Sequence, residues 1–261
     1  MSVALTALQA CGGGSSPPTT PTPPTMPPGP VTNGCSAIAQ TVGFGAGIVN
    51  GAECSSANSP VVLLNLRDRV GSVGQCTGTI IAPRVILTAA HCLDGEVTSV
   101  LVWLGSGDQI PSESFEYHSG YNSASTTHLD VGIVRVGSDF PRPAIPILTS
   151  RTARVGESAV VAGWGRDLNN ATAFLRAGTT SISGMTTTEL QTQYSASTGG
   201  ICSGDSGGPI LLSEGGVWVI GGITSANTST VCHTGTNLYA RIDYDPIRSF
   251  VLDRVPGVGR R

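Results

Sequence analysis

Apolar and polar positions change in short bursts along most of this chain. Thr79-Ile80-Ile81 and Val85-Ile86-Leu87 are compact apolar runs, and Val131-Gly132-Ile133-Val134-Arg135-Val136 alternates like a half-buried strand. Gly- and Thr-rich turns separate such segments, a pattern that predicts an all-β body. Helical spacing is convincing in one place, Asp245 to Val255, where proline occupies the first turn and Ile247, Phe250, Val251 and Leu252 fall at helical intervals. No run is long and apolar enough to span a membrane, and no internal repeat stands out.

The pattern differs before residue 31. Gly12 to Pro30 is Gly, Ser, Thr and Pro with little else, and it holds eight of the chain's seventeen prolines. Such a segment cannot bury a core. Extended like polyproline, at about 3.1 Å per residue, it is expected to act as a tether. Ahead of it, the apolar Val3-Ala4-Leu5 and the Leu8-Gln9-Ala10-Cys11 stretch resemble a bacterial lipobox, in which the cysteine becomes the lipidated first residue of the mature chain. The alternative is an apolar N-terminus with a free cysteine.

Chemistry concentrates in three places. Gly204-Asp205-Ser206-Gly207-Gly208-Pro209 sets a serine in a glycine-walled turn, so Ser206 can stand exposed while the amides of Gly204 and Ser206 point into one small space. That space is a candidate oxyanion hole. His91 follows the Val85–Leu87 run and adjoins Cys92, and Asp130 stands at the mouth of the alternating segment. Alone, these would be a surface turn, a structural histidine and a turn aspartate. Together they are what acyl transfer needs: a hydroxyl nucleophile, an imidazole to take its proton, and a carboxylate to fix the imidazole tautomer.

The order His, Asp, Ser, with Ile48-Val49-Asn50-Gly51, Cys76-Thr77-Gly78-Thr79, Thr88-Ala89-Ala90-His91-Cys92, Ala162-Gly163-Trp164-Gly165, Gly222-Ile223-Thr224-Ser225 and Leu238-Tyr239-Ala240-Arg241-Ile242, resembles the chymotrypsin/trypsin family of serine endopeptidases. The resemblance covers about four fifths of the chain. It implies two packed antiparallel six-stranded β-barrels with a C-terminal α-helix on the second barrel. His91 would be the general base, Asp130 its orienting partner and Ser206 the nucleophile, with Gly204 and Ser206 amides on the oxyanion and Ser225 beside Asp130 and on the substrate-backbone strand. It also implies Cys76–Cys92 and Cys202–Cys232 disulfides, and an activation cleavage that frees the amine of Ile48 to pair with Asp205. Gly47 stands where family zymogens commonly carry a basic residue, so an enzyme with a small-residue preference, this chain included, is the expected activator.

Specificity departs from trypsin. The position six residues before Ser206, which carries an aspartate in trypsin-like enzymes, is Gly200. Asn227 and Asn237 fall near the pocket wall, and the two amides are expected to narrow it and favour small or polar side chains. Lipidation of Cys11 leaves an even number of cysteines, and Cys35 and Cys54 form the remaining pair, tying a pro-segment to the body. Cysteine usage places the mature protein outside the cytosol, as a membrane-anchored lipoprotein of the periplasm or cell surface, or as a secreted protein. With no Cys-x-x-Cys, no metal is expected, and no cofactor. Charged residues are 12% and the net charge is −3, which points away from nucleic acid.

The resulting organisation is a signal-peptide remnant over 1–10, a lipid-anchored linker over 11–34, a pro-segment over 35–47 and a peptidase domain over 48–261. The expected partner is a protein or peptide substrate and the expected state a monomer. The main alternative is a trypsin-fold binding or adhesion module without catalysis; an esterase or transferase using the same acyl chemistry is a third reading.

Overall fold

The computed structural model describes Cys35 and residues 52–261, apart from positions 123, 125–128, 168–171, 173, 196–197 and 233. Cys11, Ile48 and the expected boundaries near 10, 34 and 47 lie outside the described residues.

The first half is a closed barrel of β2 (Val61–Arg67), β3 (Ser72–Ala82), β4 (Val85–Thr88), β5 (Ser99–Trp103), β6 (Ile110–Tyr117) and β7 (Gly132–Val136), in the order β2-β3-β4-β7-β6-β5. The second half is built from β8 (Ser158–Gly163), β9 (Arg176–Met185), β10 (Glu189–Gln193), β11 (Pro209–Glu214), β12 (Val217–Asn227) and β13 (Thr236–Arg241), ordered β8-β9-β10-β13-β12-β11 and closed by β11 on β8. The short β1 (Ala52–Glu53) adds to the outside of β9. All these pairings are antiparallel, so the fold is two six-stranded antiparallel barrels. Closure leaves neither sheet a bare edge.

The apolar runs read from the sequence fill the barrels. Ile80, Ile86, Leu87, Ile133 and Val134 are buried in the first, and Val161, Leu211 and Ile223 in the second, each worth about 2 kcal/mol in removal from water. Where the barrels meet, strands bury both faces and lose clean alternation. Val61–Leu64 is a continuous buried run, and the Trp164 indole N–H from the second half donates to the Val61 carbonyl at 3.2 Å.

The helix, α1 (Asp245–Arg254), begins and ends within a residue of its sequence limits. Its packing partner is different from the one expected. Phe250 stacks at 5.4 Å on His118, Arg254 pairs with Glu116 at 2.8 Å, and Arg135 donates to the Arg254 carbonyl at 3.1 Å. Those partners belong to the β6–β7 region, so the helix reaches back across the molecule to the first barrel. Helical spacing shows which face is apolar but not which surface receives it.

Candidate active site

His91 lies in a single 3₁₀ turn, Ala90–Cys92, directly after β4, and Cys92 is disulfide-bonded to Cys76 on β3. Asp130 lies two residues before the start of β7, which pairs with β4. Strand pairing therefore carries the two residues to the same end of one barrel. The Asp130 carboxylate is 2% exposed. It accepts from His91 Nδ1 at 2.8 Å and from the His91 backbone N–H at 2.9 Å, and the Ser225 hydroxyl donates to it at 2.5 Å. Burial alone pushes this carboxyl upward. The bonds and charge of His91, with the Ser225 hydroxyl and the His91 amide, outweigh burial and hold it below its ordinary range. An ionised carboxylate only accepts, so the imidazole proton sits on Nδ1 and Nε2 keeps its lone pair for a neighbouring hydroxyl.

The serine turn comes from the second barrel. Gly204 has φ +100° and Gly207 φ +82°, conformations that favour glycine. A Cβ on Gly207 would lie 2.1 Å from the Thr88 hydroxyl, and one on Gly204 would lie 2.9 Å from the Gly165 Cα. Within the turn the amides of Asp205, Gly207 and Gly208 donate to Cys202, Thr224 and Asp205 carbonyls. The amides of Gly204 and Ser206 donate to no acceptor among the described residues. Two unspent N–H groups flanking a half-buried serine are what an oxyanion requires.

Thr77, on β3, binds the two halves together. Its amide donates to the Ser206 carbonyl at 2.7 Å, its hydroxyl donates to the Gly204 carbonyl at 2.8 Å, and the same oxygen accepts from Trp164 N–H at 3.0 Å. The Thr88 hydroxyl in turn donates to the Thr77 carbonyl at 2.9 Å. Sequence reasoning gave these threonines no role. Nothing in a threonine beside a disulfide cysteine announces a partner more than a hundred residues away.

Asp205 points inward. It is 2% exposed and accepts from Gly165 N–H at 2.8 Å and Cys202 N–H at 2.9 Å. Gly163 and Gly165 make room for it, since a Cβ on either would come within 2.6 Å of its carboxylate. Burial pushes its carboxyl up to about 6, against those two bonds and the more distant charge of Arg176.

Beside Ser206 lies a cavity of about 200 Å³, lined by Ile201–Ser203, Ser206, Thr224–Asn227, Ser229, Thr230 and Cys232. Cys202 and Cys232 are bonded to each other at its rim. Asn227 Nδ2 donates to Asn237 Oδ1 at 2.7 Å, and Asn237 Nδ2 donates to the Thr192 hydroxyl at 3.1 Å, itself 3.2 Å from the Tyr239 hydroxyl. Asn227 Oδ1 accepts from Ser229 N–H. Asn237 is fully buried behind the wall. Gly200 does not line this cavity; a Cβ there would meet the Tyr194 ring at 3.0 Å. Cys35 and Cys54 are bonded to each other, as the remaining pair was expected to be. Cys76, His91 and Cys92 bring ligand-type atoms together, but those two sulfurs are bonded to one another, leaving no thiolate for a metal.

The Trypsin family model matches residues 48–247. Trypsin alpha of Drosophila melanogaster is 30% identical over 203 residues, covering 68% of this chain and 76% of that one, and a chymotrypsin of Phaedon cochleariae is 28% identical over 222 residues, covering 75% and 78%. Among solved structures, HL collagenase superposes with a TM-score of 0.68 at 24% identity over 80% of this chain and 99% of the other. A mutant of human heparin binding protein does so with a TM-score of 0.65 at 21% identity over 81% and 99%. These two likenesses speak for the fold alone. With a family match over most of its length and a trypsin of comparable extent among its relatives, the chain belongs to the trypsin family of serine proteases.

Proposed function

We propose that this protein is a serine endopeptidase that works through His91, Asp130 and Ser206 and an acyl-enzyme, with small residues preferred on the acyl side of the cleaved bond. The observation that carries this is the pairing of an oriented histidine, tied to buried Asp130 by two hydrogen bonds, with two unspent amides around Ser206. Ser206 attacks the carbonyl while His91 takes its proton, the Gly204 and Ser206 amides hold the oxyanion, and His91 returns the proton to the departing amine. Labelling with a fluorophosphonate, followed by mapping the adduct to Ser206 by mass spectrometry, tests the reading. Folded protein that takes no label would favour the non-catalytic binding module; labelled protein that turns over simple esters but no peptide would favour an esterase.

Asn227 donates to Asn237 and accepts from Ser229 N–H, and Asn237 donates inward to Thr192, which supports size as the determinant rather than hydrogen bonding to a polar substrate side chain. A cavity of about 200 Å³ is below the usual range for ligand pockets. Replacing both Asn227 and Asn237 by glycine is expected to raise kcat/KM for aromatic over alanyl substrates by about 10- to 100-fold. It should lower stability by about 1–3 kcal/mol, because the buried Thr192 hydroxyl loses its Asn237 donor and a buried strand position loses its side chain. Peptide-library profiling of both proteins reads this directly, and wild-type cleavage dominated by Arg or Lys would end the small-residue reading.

Asp205 supports an activation step in which cleavage after Gly47 frees the Ile48 amine to pair with it, leaving the pro-segment attached through Cys35–Cys54. The two backbone amides on the carboxylate do not offset the cost of burying it. Its raised value gives the uncut chain a contribution to stability that is fully present below about pH 4 and lost as pH rises through about 6. Chemical denaturation across that window should show this loss, absent in Asp205→Asn and in material beginning at Ile48. Active material with no chain beginning at Ile48 would defeat the activation scheme. Three disulfides support an extracytoplasmic location, and the Cys11 lipid tether, a monomeric state and a peptide substrate complete the proposal.

A further inference from the structure

A second cavity, of about 330 Å³, opens beside the Gly204 turn, bordered by Ser203 and Gly204 and walled by Gly74, Gln75, Trp164, Arg166 and Thr172. It shares Ser203 with the cavity beside Ser206 and no other residue. The two cavities therefore flank the 203–204 backbone. When a carbonyl oxygen occupies the Gly204 and Ser206 amides and the acyl side chain fills the first cavity, the departing segment of the peptide runs over the second.

Among the described residues that line that wall, Arg166 is the only charged one. Its backbone N–H donates to the Ser203 carbonyl at 3.0 Å, which fixes its position relative to the oxyanion turn, while the residue itself stays exposed. Its guanidinium makes no ion pair or hydrogen bond among the described residues. The nearest carboxylate in sequence, Asp167, is engaged by Arg176 at 3.1 Å. In a chain of net charge −3, an unpaired cation beside the reacting centre presents a planar fork suited to a carboxylate.

We propose that this cavity receives an acidic side chain, Asp or Glu, from the first or second residue after the scissile bond, with Arg166 as its charge partner. The proposal rests on the peptidase reading and deepens it by naming a leaving-group specificity.

The test uses peptides identical up to the scissile bond and carrying Glu, Gln or Lys in the two positions after it. Wild type is expected to rank them Glu above Gln above Lys, with about fivefold in kcat/KM per step at low salt and little difference at high salt. Arg166→Gln should flatten the series and Arg166→Glu reverse it, while all three proteins take a fluorophosphonate label at the same rate, because the label carries no peptide leaving group. Indifference of the wild type to charge, or a preference that survives in Arg166→Gln, overturns the proposal. So does slowed labelling in the variants, which would make Arg166 a support of the turn. Wild type that neither labels nor cleaves any peptide removes the peptidase reading and this with it, whereas normal labelling without charge preference removes this alone.

Discussion

Ser206→Ala is expected to lower peptide turnover by about 10⁶-fold, a size known from hydrolases with the same triad rather than derived from this geometry. The fold should be untouched. The turn around Ser206 is held by the Thr77 amide on the Ser206 carbonyl, by Gly207 on Thr224 and by Thr77 on Gly204, and none of these uses the serine hydroxyl. Melting temperature should therefore stay close to wild type, corresponding to changes within about 0.5 kcal/mol. Kinetics on a peptide amide, paired with a thermal melt, check both halves. Turnover reduced by less than about 100-fold in a properly folded variant would place the nucleophile elsewhere, because residual catalysis from the oxyanion amides acts only on the slow attack of water.

Asp130→Asn is expected to lower kcat by about 10⁴-fold, again the magnitude seen for the corresponding change in trypsin. The cause is legible in the hydrogen bonds. Asp130 presents one oxygen to the His91 backbone amide and the other to His91 Nδ1 and the Ser225 hydroxyl. With an oxygen kept on the backbone amide, the new NH₂ faces Nδ1 and donates to it, so the imidazole proton moves to Nε2 and the base is lost. Asp130→Ala, which imposes no tautomer but leaves the His91 amide unpaired, separates orientation from charge. The pH dependence of stability separates Asp130 from Asp205. Asp130 is held below its ordinary range, so its contribution is present above about pH 4 and lost as pH falls through the lower folded value. Asp205 acts in the opposite sense and at higher pH. Asp130→Asn should shrink the acid limb of the stability profile, which Glu116 and Glu214, also held below their ordinary range by arginines, share, and leave the other in place.

The all-β body and the terminal helix were legible because each depends on local residue types: short apolar bursts, glycine turns and helical spacing. The two six-stranded barrels came with the family resemblance, which the segments around His91, Asp130 and Ser206 carry. What escaped depends on pairings across the fold. Thr77 is an ordinary strand threonine until the second barrel places Gly204 and Trp164 against it. Asn227 and Asn237 were expected near the pocket wall, but that they bond each other, with Asn227 on the wall and Asn237 buried behind it, follows from the β12–β13 register that sets them opposite one another. Gly200 sits at the counted position before the nucleophile yet packs against Tyr194, since chain spacing does not report which face of a loop turns inward. The helix found its partner on the first barrel for the same reason. Arg166 drew no notice because one exposed arginine has no pattern.

The proposed machinery is divided between the halves: His91 and Asp130 come from the first barrel, Ser206 and Ser225 from the second. During synthesis the first half leaves the ribosome with the proposed base and without the proposed nucleophile. A refolding chain can close each barrel and remain inert until Thr77 reaches the oxyanion turn and Ser225 reaches Asp130. Regain of labelling during refolding is therefore expected to report the docking of the two halves, a late step for contacts this distant along the chain. On the peptidase reading, a truncated or half-folded copy lacks part of the proposed site and is expected to cleave nothing, a safeguard that the topology itself supplies.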